Sequence, residues 1–221
     1  PEQAREIPGL GTICFHPSLL PIHRGPSSIN WPIIWGAKKT GLTIFWPDDG
    51  LDEGDVLLQK EVEVTADDTL GSVYFNKIFP LGIEAILEAV ELIKGGNAPR
   101  TVQDDSLATY ESWCRRENAE IDWQRSASEV HNLIRGCNPQ PGAWTTFSDE
   151  VVQIFDVELT EGNGRVGRVC SLDDASFTIN AGLGGIKIQR LRLGRGPKVD
   201  AAEFIIEHKL KVGDRFGMKA K

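Results

Sequence analysis

The chain is 221 residues long, 40% hydrophobic and 25% charged, with a formal net charge of −8. That length allows one large domain or two small ones, and the composition is that of a folded globular protein. No signal peptide is expected, there is no apolar run long enough to span a membrane, and the acidic balance argues against wholesale nucleic-acid binding. Cys14, Cys114, Cys137 and Cys170 form no CxxC pair. They read as reduced thiols of a cytoplasmic protein rather than a disulfide or zinc framework, and no metal is expected. The chain begins at Pro1 and its only methionine is Met218, so it reads as a processed product, an internal segment or a partial chain.

Thr12 to Phe15 is a short β-prone run ending at His16-Pro17, where the residue before proline is kept from the helical region. His16 is therefore expected at the carboxyl end of a strand, the edge where open α/β sheets place their chemistry. Leu19 to Pro26 is a loop with two prolines, in which Arg24 either attracts substrate carboxylates or caps a neighbouring carbonyl. Ser27 or Ser28 caps a helix running to Trp35 and stopped by Gly36, with Pro32 in its first turn. Trp31 and Trp35, four apart, are expected in the core. Leu42 to Trp46 reads as a buried strand, followed by the turn Pro47-Asp48-Asp49-Gly50 and then Asp52. If the two strands are neighbours, His16 and Asp52 face one crevice. A histidine and a carboxylate suit acyl or formyl transfer, which needs a proton for the leaving nitrogen and a partner for a tetrahedral oxyanion. The same two residues also suit ordinary turn chemistry.

Val56 to Val64 reads as the last strand of the sheet. Asp67-Asp68-Thr69 starts a helix, with a kink or break near Phe79 because of Pro80. Ile83, Ile86, Leu87, Val90 and Ile93 keep helical spacing, Glu84, Glu88 and Glu91 form the solvated face, and Gly95-Gly96 ends the helix. Residues 97–118 have the composition of a linker. Ser126-Ala-Ser-Glu129 is a capping box opening a short helix with Val130, Leu133 and Ile134 inward. Five short strands follow, at 143–147, 151–159, 166–171, 176–180 and 185–193, which suggests a small antiparallel barrel. A short helix is expected at 200–208. Residues 1–120 hold 10 Lys and Arg against 19 Asp and Glu, and residues 121–221 hold 14 against 13. The one basic cluster is Lys187, Arg190, Arg192, Arg195 and Lys198, either a weak tRNA surface or a solvated strand.

His16-Pro-Ser-Leu-Leu-Pro21, Arg24-Gly25, Ile29-Asn-Trp31, Thr40-Gly-Leu-Thr43 and Gly50-Leu-Asp-Glu-Gly-Asp55 together resemble the signature of the 10-formyltetrahydrofolate-dependent formyltransferases. The likeness continues through Thr109-Tyr110, Ile121-Asp-Trp123, Ile134-Arg-Gly136 and Pro141-Gly-Ala-Trp144, so it covers most of the chain in order. Phe45-Trp-Pro-Asp-Asp-Gly-Leu-Asp52 and Glu117-Asn-Ala-Glu-Ile121 are most similar to the hydrolase domain of the 10-formyltetrahydrofolate dehydrogenases within that family.

The resemblance implies an α/β fold: residues 1–97 as the C-terminal half of a Rossmann-like catalytic domain, 98–118 as a linker and 119–221 as an OB-like barrel. About four strands and their helices would precede residue 1, and residues 1–9 would be a helix end and a turn. His16 and Asp52 fall on the family's catalytic pair. Leu19, Leu20 and Pro21 lie in the loop beside the site, and Trp46, Pro47, Asp48 and Asp49 would line the pterin site. Cys14 stands where transferases of the family carry an asparagine that holds the formyl oxygen. A thiol is a weak donor, and a cysteine in a buried strand is an unpromising nucleophile. The implied activity is removal of the formyl group of 10-formyltetrahydrofolate to water or a small acceptor, without a metal. The other readings are a methionyl-tRNA formyltransferase, with tRNA as partner, and a non-catalytic folate-binding protein.

Overall fold

The computed structural model describes residues 2–217, and Pro1 lies outside them. The chain divides into two units, one of residues 1–33 with 37–113 and one of residues 34–36 with 114–221. No helix among the described residues is long and apolar enough to cross a membrane.

The first unit opens with α1 (Glu2–Arg5) and β1 (Cys14–His16), followed by a loop and α2 (Asn30–Ile34). Pro32 sits in the first turn of α2 and Gly36, at φ 74°, follows its end. Two longer strands, β2 (Lys39–Phe45) and β3 (Val56–Glu63), complete a three-stranded sheet in the order β1-β2-β3. β2 is buried along nearly its whole length, as its continuous apolar run dictates, whereas the edge strand β3 alternates. β1 and β2 are indeed neighbours, but antiparallel, with His16 opposite Thr43 and Cys14 opposite Phe45. The carboxyl ends of the two strands therefore point to opposite edges. Asp52 reaches His16 because residues 46–55 fold back, with Trp46 N–H donating to the Asp55 carbonyl.

Asp68, Thr69 and Ser72 cap the next helix, and Thr69 and Ser72 close a reciprocal capping box. The helix runs through α3 (Leu70–Val73), a π-helical turn at Tyr74–Ile78 and α4 (Phe79–Lys94). Pro80 takes N1 or N2 of α4, so the expected disturbance near Phe79 is absorbed as a π-turn without breaking the helix.

The inward face of α4 differs from the one the periodicity suggested. Gly82, Ala85 and Ala89 are buried against Leu42, Ile44, Trp46 and Leu57. Ile83, Ile86, Leu87 and Val90 are exposed, beside exposed Phe75 and Phe79. Close approach explains the choice: a Cβ on Gly82 would lie 2.9 Å from the Phe15 ring, so only small residues fit against the sheet.

Trp31 and Trp35 likewise do not form a core pair. Trp31 is half-buried with its indole N–H on the Ser112 carbonyl, and Trp35 is exposed. Residues 97–113, linker-like in composition, are stitched to the first unit. Thr101 bridges Val56, Tyr110 bridges Arg24, and Gln103 and Glu111 are buried. The polar residues that made this segment look like a linker are its anchors.

The second unit is built on an antiparallel sheet. The Ser126–Glu129 capping box starts α5 (Ala127–Gly136), which buries Val130 and Ile134. The strands are β4 (Trp144–Phe147), β5 (Glu150–Thr160), β6 (Val169–Leu172), β7 (Phe177–Asn180) and β8 (Gly185–Leu193), in the order β4-β5-β8-β7-β6. A short β9 (Val199–Asp200) pairs β8 and leads into α6 (Ala201–His208). Residues 213–217 bridge the two outer strands: Phe216 pairs Phe147, Arg215 pairs Arg168, and Gly217 N–H donates to Thr146. The curled sheet thereby forms a small OB-like barrel around Phe177, Phe204 and Phe216. Two residues of the basic cluster lie near carboxylates, Lys187 by Glu158 and Arg190 by Asp156, while Arg192 donates to the neutral amide of Gln153. The cysteines form no disulfide, but two that are distant in sequence meet: Cys114 and Cys137 lie 3.9 Å apart, sulfur to sulfur.

Candidate active site

The first unit brings His16 and Asp52 together. His16 closes β1, and Pro17 holds it extended. The loop after it is fastened to the sheet through Thr43, a fully buried residue of β2. The Thr43 hydroxyl donates to the Ser18 carbonyl at 2.7 Å and accepts from Leu20 N–H at 3.1 Å. Gln59 Nε2 adds bonds to the Leu20 carbonyl and to the Thr43 hydroxyl. Held this way, the loop returns the His23 carbonyl to within 2.8 Å of His16 Nε2. A carbonyl only accepts, so this contact places a hydrogen on Nε2.

The other ring nitrogen, Nδ1, lies 3.5 Å from Asp52 Oδ2. That is longer than a hydrogen bond and leaves an edge where an atom can touch both groups. The His16 side chain is 8% exposed and that of Asp52 19%, so access is from the Asp52 side. Asp52 adopts φ 59°, a left-handed conformation that Asp tolerates better than most residues. Its carboxylate accepts from Gly25 N–H at 2.8 Å and its own carbonyl accepts from Gln103 Nε2 at 2.8 Å. Gly25, at φ 91°, must be glycine: a Cβ there would sit 2.6 Å from the Glu111 carbonyl oxygen.

Cys14 shares the His16 side of β1, two residues earlier. Burial and then the charge of Asp52 push its thiol up, which places it within the field of the pair and keeps it protonated. It has the electrostatics of a neutral wall residue, not of a nucleophile.

The remaining sequence candidates divide. Leu19 packs over Gly41 of β2, and Leu20 is buried in the core. Pro21 follows a cis peptide bond and its carbonyl accepts from Thr109 N–H. Trp46 is buried, with its indole N–H on the Pro99 carbonyl and the Arg100 guanidinium 4.1 Å over its ring. Only its main chain remains for a ligand. Pro47 is half-buried, and Asp48 and Asp49 are exposed. Arg5 bonds both, donating to the Asp48 carbonyl and pairing the Asp49 carboxylate at 2.6 Å. Arg24, 1% exposed, meets side chains and not a main-chain carbonyl: Gln103, Tyr110 and Asp105 at 2.7 Å. It is a buried tie between the loop and residues 103–110. No group of three or more His, Cys, Asp or Glu residues suited to a metal exists among the described residues.

Sequence reasoning missed Thr43, His23, Gln103, Thr109 and Glu111, which hold the pair in place. Thr109 belongs to the Thr109-Tyr110 motif. Glu111 follows it directly but lies in a segment of linker composition.

Two family models match the chain: "Formyl transferase" over residues 1–90 and "Formyl transferase, C-terminal domain" over residues 114–209. The cytosolic 10-formyltetrahydrofolate dehydrogenase of Xenopus laevis is 46% identical over 160 residues, 72% of this chain and 18% of that protein. The chain thus spans less than a fifth of the length of that relative. The methionyl-tRNA formyltransferase of Syntrophus aciditrophicus is 36% identical over 219 residues, 98% of this chain and 70% of that protein. HypX from Aquifex aeolicus, solved in complex with tetrahydrofolic acid, superposes with a TM-score of 0.72 at 24% identity, covering 92% of this chain and 36% of HypX. That last likeness carries the fold.

Proposed function

The chain belongs to the formyl transferase family, and from that premise we propose that it takes the formyl group from 10-formyltetrahydrofolate and passes it to water or a small acceptor. Residues 1–97 would be the C-terminal half of the catalytic domain, 98–118 the connection and 119–221 the OB-like domain. The observation that carries the proposal is the His16–Asp52 pair, 3.5 Å apart with an open edge between Nδ1 and the carboxylate. In hydrolysis, water attacks the formyl carbon while Asp52 accepts its proton. Protonated His16 keeps its Nε2–H on the His23 carbonyl, hydrogen-bonds the developing oxyanion through Nδ1–H and passes that proton to the leaving nitrogen, releasing tetrahydrofolate and formate. General acid–base catalysis of this kind contributes roughly 10²–10⁴ in rate. Leu19–Pro21 and the main chain of Trp46–Asp49 would line the folate site. The dehydrogenase relatives and a structural neighbour solved with tetrahydrofolic acid support the choice of donor.

A second reading is supported by the Syntrophus methionyl-tRNA formyltransferase, which matches nearly the whole chain: the acceptor would be an aminoacyl-tRNA. The net charge of −8 weighs against it, as do the carboxylates beside Lys187 and Arg190. The full-length protein is incubated with 10-formyltetrahydrofolate and, in turn, water alone, an amino sugar and initiator methionyl-tRNA. Tetrahydrofolate release without tRNA supports the first reading. Release only with tRNA, with salt-sensitive binding, supports the second. No turnover with any acceptor, while tetrahydrofolate still binds, makes the protein a folate binder.

A further inference from the structure

We infer that Glu111, acting through His23, is a positioning residue that fixes which nitrogen of His16 carries its hydrogen. The inference rests on the proposed catalytic reading of His16 and Asp52. His23 holds an unusual conformation, tied to residues 109 and 111 as well as to its own loop. Its φ is 61°, a left-handed backbone that is unfavourable for a residue with a Cβ and persists where its surroundings over-determine it.

Three bonds fix it. Its N–H donates to the Thr109 hydroxyl at 2.8 Å, its ring Nδ1–H donates to Glu111 Oε1 at 2.9 Å, and its carbonyl accepts from His16 Nε2 at 2.8 Å. The polarity is consistent along the chain of contacts, because the Thr109 hydroxyl that accepts from His23 donates onward to Glu111 Oε1 at 3.0 Å. Main-chain bonds hold the two segments in register: Arg24 N–H to the Thr109 carbonyl and Glu111 N–H to the Arg24 carbonyl.

Glu111 is an expensive residue to place here. Its side chain is 4% exposed, and Oε2 is buried with no hydrogen-bond partner. A buried carboxylate oxygen without a partner costs stability, and nothing in the fold requires an acid at that position for packing. What the acid does is anchor the His23 ring and, with Thr109, the His23 main chain. The carbonyl thus held is the acceptor that claims Nε2–H of His16. Nδ1 is then the nitrogen facing Asp52 and the open edge. Without the anchor, His23 relaxes toward negative φ, its carbonyl turns away, and His16 exchanges between its two neutral forms.

The test is nitrogen-15 NMR of the histidine rings at alkaline pH, read beside steady-state turnover of 10-formyltetrahydrofolate by the same full-length protein. Wild type is expected to show His16 as the Nε2–H form, and Glu111→Ala a mixture. Glu111→Ala should lower kcat by roughly 10–100-fold with KM little changed, the range expected when a reacting group is misplaced. Glu111→Gln, whose amide oxygen still accepts from both His23 and Thr109, should restore the tautomer and most of kcat. Adding Glu111→Ala to His23→Gly should lower kcat less than adding it to wild type, because the ring is already gone and only the link through Thr109 remains. If Glu111→Ala unfolds, Glu111→Gln and His23→Gly decide. An unchanged His16 tautomer and kcat in Glu111→Ala, while His16→Ala abolishes turnover, overturns the positioning inference and leaves the catalytic reading standing. Full turnover in His16→Ala overturns the catalytic reading, and the NMR result then decides the positioning on its own.

Discussion

Replacing Gly25 with alanine tests whether backbone geometry, rather than side-chain identity alone, sets the Asp52 carboxylate. Gly25 sits at φ 91° and its N–H donates to Asp52 Oδ2 at 2.8 Å. A Cβ there lies 2.6 Å from the Glu111 carbonyl, closer than real Cβ atoms come, and that oxygen is main chain, so it does not swing aside. The left-handed conformation costs about 1–2 kcal/mol for a residue with a Cβ. Losing the bond to a charged acceptor costs about 1.5–3 kcal/mol more. The expected total is roughly 3–5 kcal/mol. Gly96→Ala is the control: it carries the same kind of strain, at φ 69°, with nothing within 4 Å of the new methyl. It should cost about 1 kcal/mol, near the low end of that strain. Calorimetric unfolding of both variants measures the difference. At about 2–4 °C per kcal/mol for a chain of this size, Gly25→Ala should lower Tm several-fold more than Gly96→Ala. Turnover should fall with it, while Gly96→Ala stays near wild type. Equal losses in the two variants would refute the argument, because strain alone would then account for both.

Cys14→Asn restores an amide at the edge of the site and should raise transfer to an amine relative to hydrolysis, by as much as about 2–4 kcal/mol if the amide meets the oxyanion. Product ratios from one pool of 10-formyltetrahydrofolate measure it, and loss of both rates would mark position 14 as packing only. Asp68 gives a pH signature: burial pushes its carboxyl up, but hydrogen bonds from Lys77, Thr65 and Ser72 outweigh this and bring it from 3.8 to about 2. A folded-state value below the unfolded one stabilises above pH 3.8 and is lost as pH falls toward about 2. The Tm of wild type should drop across that window more than that of Asp68→Asn, and parallel curves would contradict the assignment. Cys114 is half-exposed and its thiol is lowered by the hydrogen bond from Cys137, which that bond and burial push up. Iodoacetamide followed by peptide mass analysis should label Cys114 well before Cys137, whereas equal labelling would show that the buried thiol opens readily.

His16 and Asp52 were legible in the sequence because proline and glycine mark their turns and because short motifs carry them. The barrel was legible because strand patterns with Gly, Asp and Asn between them are local signals. The burial face of α4 was not. Its Gly82, Ala85 and Ala89 look neutral in a periodicity count, and only the distance to the Phe15 ring shows why small residues must face the sheet. The antiparallel pairing of β1 and β2 was equally hidden, since strand direction is a long-range property of the chain. The supports of His16 were the least visible. Gln103, Thr109 and Glu111 are polar residues in a segment without periodicity, and their partners His23, Arg24 and Asp52 are 51 to 88 residues away. Sequence spacing carries no trace of such contacts.

Formate release from 10-formyltetrahydrofolate by wild-type protein and by Asp52→Asn, measured as a single turnover with enzyme in excess, tests the central claim most directly. Asparagine keeps the shape and can still accept from Gly25 N–H, but it neither takes a proton from water nor offers a charge to His16. The account predicts that bound substrate persists while its decay slows by roughly 10²–10⁴, the contribution of a general base. Decay at the wild-type rate would contradict it.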